Sequence, residues 1–136
     1  MALVAYGTDQ WVYSLISGTP KVSIEMKVDK SSINANDYAT ITIITTNNDL
    51  LTHNINFQFD ASPKITFYAG RESALQNNAY AWSMDATTEK TTKTFTLTGT
   101  LGEQETSTTF PVELHVIVDG SELRQNWEDF SIVIKG

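Results

Sequence analysis

Period-two alternation of apolar and polar residues recurs along this chain and limits what it can fold into more than any other feature. Val22, Ile24, Met26 and Val28 alternate with Ser23, Glu25, Lys27 and Asp29, the pattern of a strand with one buried and one wet face. Ser31, Ser32, Asn34, Asn36 and Asp37 break it as turn formers, and Ile41 and Ile43 resume it against Thr40 and Thr42. Ile55, Phe57 and Phe59 then alternate with Asn54, Asn56, Gln58 and Asp60; Pro63 interrupts, and residues 65–68 make a short successor. Tyr80, Trp82 and Met84 oppose Ala79, Ala81 and Ser83, and Phe95 and Leu97 lie between threonines. Phe110, Val112, Leu114, Val116 and Val118 form the longest alternation, up to the turn Asp119-Gly120-Ser121, before Phe130, Ile132 and Ile134 close the chain.

These segments predict an all-β fold of seven to eight strands, for which an antiparallel sandwich is the natural solution. Helix is expected only as single turns at residues 72–76 and 122–125. Val22, Ile24, Met26, Ile41, Ile43, Phe57, Phe95, Leu97, Val112, Leu114, Val116 and Ile132 are the expected core. Large residues of the Tyr80, Trp82 and Met84 series should face the same way.

A length of 136 residues suits one domain and is too short for two independent cores. Two parts are expected: an N-terminal strand or arm over residues 1–18, and a β-sandwich over residues 19–136. A net charge of −7 without a basic run argues against a nucleic-acid partner, since neutralising phosphates needs clustered Lys and Arg. Cysteine is absent, which excludes disulfides and thiolate metal sites. At the N-terminus no basic residue precedes the apolar part, and no apolar run is long enough for a signal core or a membrane span, so no signal peptide is visible.

The stretch VDKSSINANDYATITI, with its Val-Asp-x-Ser-x-Ile-x-Ala-Asn/Asp turn before a Thr- and Ile-rich strand, resembles immunoglobulin-like domains of bacterial and archaeal surface proteins and of phage virion proteins. The later strands match that family in spacing. Asp37 stands where the family commonly has Gly, and no Cys pair or central Trp marks an antibody-type domain. The resemblance implies an immunoglobulin-like β-sandwich with a structural or adhesive role.

Candidate chemistry is sparse. His53, in a loop entering a strand, and His115, in the long strand, coexist with many hydroxyls, but no nucleophile-elbow glycine pattern accompanies them, so no enzyme is expected. His115 shares a face with Glu113 and reads as a solvated strand residue. Asp119 and Glu122, flanking Gly120, offer oxygen ligands for a structural Ca²⁺ without EF-hand spacing; no other cofactor is expected. Trp127 is out of phase with Phe130, Ile132 and Ile134, which places it at a surface or edge as a contact candidate. Residues 11–16 carry apolar groups on both faces, making Trp11, Tyr13 and Leu15 candidates for contact with the chain's own sheet or with a neighbouring subunit.

The expected function is therefore a non-catalytic structural or adhesive building block in a virion or on a cell surface. It would act through protein–protein contacts with other subunits, self-assembly included. The alternative is a carbohydrate-binding module, with exposed aromatics stacking on sugar rings.

Overall fold

The alternating segments become thirteen strands in the computed structural model, which describes residues 2–5, 10–14, 21–69, 73–122 and 128–136, with side chains over 21–69, 73–121 and 130–136. In chain order they are β1 (Ala2–Ala5), β2 (Gln10–Ser14), β3 (Val22–Val28), β4 (Ser32–Asn34), β5 (Ala39–Asn47), β6 (His53–Asp60) and β7 (Ile65–Ala69). There follow β8 (Ser73–Ala74), β9 (Ala79–Met84), β10 (Lys90–Gly99), β11 (Ser107–Val118), β12 (Ser121–Glu122) and β13 (Glu128–Lys135).

Two sheets result. The first runs β1-β2-β3-β5-β10-β7-β8, and the second runs β4-β13-β11-β6-β9, with β12 added beside β11. Pairing is antiparallel apart from β4, which lies parallel to β13. Among the described residues the expected seven to eight strands are joined by further ones, largely short segments such as β4, β8 and β12. Two or three residues carry no period of their own, and they are extended only because a long strand beside them supplies partners.

The helical expectations are corrected in the same way. Where a turn was expected at residues 72–76, Ser73–Ala74 pairs with β7, and a 3-10 turn follows at Gln76–Asn78. Leu75 N donates to Phe67 O, Gln58 Nε2 donates to Asn77 O at 2.7 Å, and Asn77 and Asn78 take positive φ, which ends any helix there. At the second position, Ser121–Glu122 is strand rather than helix; residues 123–125 lie outside the described residues.

All twelve expected core residues are buried. The two sheets meet through aromatic rings: Phe59 of β6 stacks on Phe67 of β7 at 4.5 Å, and Phe57 and Phe59 both meet Phe95 of β10 edge to face at 6.1 and 5.5 Å. Each such ring contributes about 1.5–3 kcal/mol by burial, and the pair geometry adds roughly 0.5–1.5 kcal/mol. Met84 is fully buried, while Tyr80 and Trp82 are half-buried against the same core.

Pro111 in the middle of β11 is accommodated by a stagger. The first half of β11, Pro111 included, pairs with β13, whereas pairing with β6 begins only at Glu113. Pro111 thus lies outside the doubly paired stretch, where β11 has a neighbour on one side and no ladder partner in β6. In the turn after β4, Asn36 at φ 66 takes the left-handed position, so the absence of a glycine at Asp37 is no obstacle.

Candidate functional site

Side chains at every second residue of three neighbouring strands form the outer face of the second sheet. β6 contributes Asn54, Asn56, Gln58 and Asp60, β11 contributes Glu113, His115 and Ile117, and β9 contributes Ala79, Ala81 and Ser83. Small residues on β9 and amides on β6 leave a depression of about 430 Å³ lined by Asn54, Asn56, Ala81, Trp82, Ser83 and Ile117. Ser83 Oγ donates to Asn54 Oδ1 at 3.0 Å. Asn56 Oδ1 and the Trp82 indole N–H, both buried, have no hydrogen-bond partner. Lys93 Nζ lies 4.6 Å from the Trp82 ring centroid, a cation–π contact over the inner side of the same strand.

One end of this face is closed by a charged clamp. His53 is 3 % exposed, and its two ring nitrogens meet two carboxylates: Nδ1 is 2.7 Å from Asp119 Oδ2, and Nε2 is 2.7 Å from Asp49 Oδ1. Two carboxylate partners favour the doubly protonated ring, in which both nitrogens donate. The hydrogen bond that His53 donates to Asp119, reinforced by the one to Asp49, raises the His53 pKa against the opposing effect of burial, and His53 in turn lowers both carboxylates. Held in that form, His53 has both ring nitrogens engaged and ties two loops together.

The brace is extended by backbone bonds. Asp119 Oδ1 accepts from Asn54 N at 2.8 Å, which joins the β11–β12 turn to the start of β6. Buried Asn47 holds the β5–β6 loop by accepting from Leu50 N through Oδ1 and donating to Leu51 O through Nδ2. Neither partner is legible in the sequence: Asp119 lies 66 positions from His53, and Asp49, four positions before it, is aimed at the ring by the loop conformation rather than by strand period.

The sequence-derived candidates are scattered. Trp11 and Tyr13 lie in β2, opposite Met26 and Ile24 of β3, and their side chains, with Leu15 and Trp127, lie outside the described residues. Asp119 and Glu122 remain near one another along the chain, but the two Asp119 oxygens are occupied by His53 and Asn54; Glu122 pairs through its backbone with Ile117. Among the described residues, no helix is long and apolar enough to cross a membrane. No protein-family model matches the chain, and no curated protein matches it.

Proposed function

We propose that this chain is a non-catalytic structural building block, an immunoglobulin-like β-sandwich that works through protein–protein contacts in a virion or on a cell surface. The observation that supports this reading is the edge strand β9. It ends the second sheet, spans six residues and carries no charge and no proline in AYAWSM. The other terminal strands, β1, β8 and β4, have four, two and three residues.

Sheet edges of stable monomers are commonly shortened, charged or interrupted by proline, because an uncovered edge pairs with another strand. A long uncharged edge is suited to such pairing, and a second copy of this chain, edge to edge about a two-fold axis, is the first partner to test. Mass in solution by light scattering, for the parent and for Ala81→Lys, is the experiment. Concentration-dependent dimers that the lysine dissolves are expected; a parent that stays monomeric at high concentration would overturn self-association through β9.

A second reading is favoured by the amide-lined depression beside that edge, whose Asn54, Asn56 and Ser83 match the hydroxyl-rich surface of a glycan. Retention on polysaccharide that Asn56→Ala abolishes, combined with a monomeric parent, would replace the building block with a carbohydrate-binding module.

A further inference from the structure

The outer face holds a second set of side chains, at the opposite end of β6 from the clamp. Glu113 of β11 pairs directly with Asp60 of β6, and His115 lies two residues further along β11, opposite Gln58. Period two puts all three on the solvent side of the sheet. One donor atom from each of Asp60, Glu113 and His115 lies within 4.8 Å of the others.

The register around them is unusual. Asp60 and Glu113 are two acidic residues directly opposed across neighbouring strands, and on its other side the Glu113 backbone pairs with that of Glu128 in β13. The ladder shifts here, Val112 opposing Phe130 and Glu113 opposing Glu128, which leaves the intervening Asp129 as the extra residue of a β-bulge. Like charges directly opposed across strands destabilise a sheet, and bulges re-aim strands beside functional sites. A bound cation would convert this repulsion into ligation.

We infer that Asp60, Glu113 and His115 form a binding site for a first-row divalent cation of the Zn²⁺ type. A tetrahedral ion with ligands at about 2.1 Å holds its donor atoms roughly 3.4 Å apart. His115 Nε2 and Glu113 Oε2 are 3.3 Å apart, a spacing long for a charge-assisted hydrogen bond and close to that tetrahedral edge. An imidazole nitrogen with two carboxylates selects Zn²⁺, Co²⁺ or Ni²⁺ over Ca²⁺, which prefers six to eight oxygens. Three protein ligands leave a position open, and the adjoining depression of about 340 Å³, lined by Gln58, Phe59, Asp60, His115 and Ile117, has room for water or an incoming carboxylate there. This site stands apart from the β9 edge and does not depend on what that edge binds.

The test is titration of the full chain with Zn²⁺ by calorimetry and with Co²⁺ by its visible absorption, at neutral pH, for the parent and for His115→Ala, Asp60→Asn and Glu113→Gln. One ion per chain is expected, with affinity at least about tenfold weaker in each variant and an unchanged circular dichroism spectrum. Should one variant lose its β spectrum, the other two and the shift of the His115 ring signals in the parent decide the matter. Absence of heat and of Co²⁺ absorption at millimolar metal would overturn the site. So would binding that survives all three substitutions, or Ca²⁺ binding as tight as Zn²⁺ and indifferent to His115→Ala.

Discussion

Nδ1 of His53 stands 2.7 Å from Oδ2 of Asp119, a residue 66 positions later in the chain. With Asp49 on the other ring nitrogen, this contact ties the β5–β6 loop to the turn after β11, and it makes the fold sensitive to pH from both sides. His53 has a folded pKa raised above 6.5. Its contribution is fully present below 6.5, where the unfolded chain is protonated too, and is lost as pH rises through the folded value. Asp49 and Asp119 have folded pKa values lowered from 3.8, so their contribution is present above 3.8 and lost as pH falls through the folded values.

Urea unfolding across pH should therefore show a stability maximum between these limits, with a decline above 6.5 that is missing in His53→Gln. At pH 6 the substitution His53→Ala should lower stability by about 1.5–3 kcal/mol, the range for losing a buried hydrogen bond to a charged group. Identical pH profiles for the parent and His53→Gln would mean that the imidazolium clamp does not operate.

The core predictions are sharper because they rest on complete burial. Phe57 and Leu114 are both 0 % exposed, and Phe57 meets Phe95 of the facing sheet. Truncation of either to Ala should lower stability by about 2–5 kcal/mol in chemical denaturation. Losses below about 0.5 kcal/mol at both, as at surface sites, would reverse the assignment of faces.

These two residues also mark what the sequence makes legible. Alternation assigns a strand's faces from its own residues, so the long strands and all twelve core positions follow from local pattern. Short strands do not: β4 is three residues whose extension depends on β13, about a hundred positions later in the chain. The clamp on His53 and the meeting of Asp60 with Glu113 and His115 need register, which only the folded sheets supply. His115 reads as a solvated strand residue because Glu113 is visible beside it, whereas Asp60 is brought there by β6.

Glu105 should titrate well outside the usual carboxylate range. Its Oε1 takes Lys64 Nζ at 2.9 Å and Gly102 N at 2.7 Å, its Oε2 takes Thr108 Oγ1, and the Thr108 bond leads in lowering its pKa to about 2. Its stabilising effect is present above 4.5 and is lost as pH falls through about 2. A carboxyl-carbon NMR titration checks this; a midpoint near 4.5 would show that the loop between β10 and β11 is open in solution. In Glu105→Ala the Gly102 amide should exchange faster, having lost its acceptor.

Gly99 ends β10 where a side chain has no room. A Cβ there would lie 2.8 Å from Ile134 Cδ1 and 2.9 Å from Ile65 Cδ1, both residues being buried in the core. Gly99→Val should therefore destabilise by about 1–3 kcal/mol through overpacking. A thermal midpoint equal to that of the parent would show that the two isoleucines yield freely.

The N-terminal strands give the last prediction. β2 pairs with β3 from Gln10 opposite Lys27 to Tyr13 opposite Ile24, and β1 covers β2 in turn. Deleting residues 1–18 would uncover the edge of β3 from Ile24 to Lys27, where Glu25 and Lys27 are the charged outward residues. Bare edges of that length recruit other strands, and the two-faced apolar pattern of residues 11–16 indicates that apolar surface would be bared as well. The truncated chain should accordingly unfold at a lower temperature and scatter more light than the full chain at equal concentration. The opposite pair of results, an equally stable truncated monomer and a full-length chain that associates, would make residues 1–18 an arm for a neighbouring subunit, and the self-association sought at β9 would then have to be sought at β3.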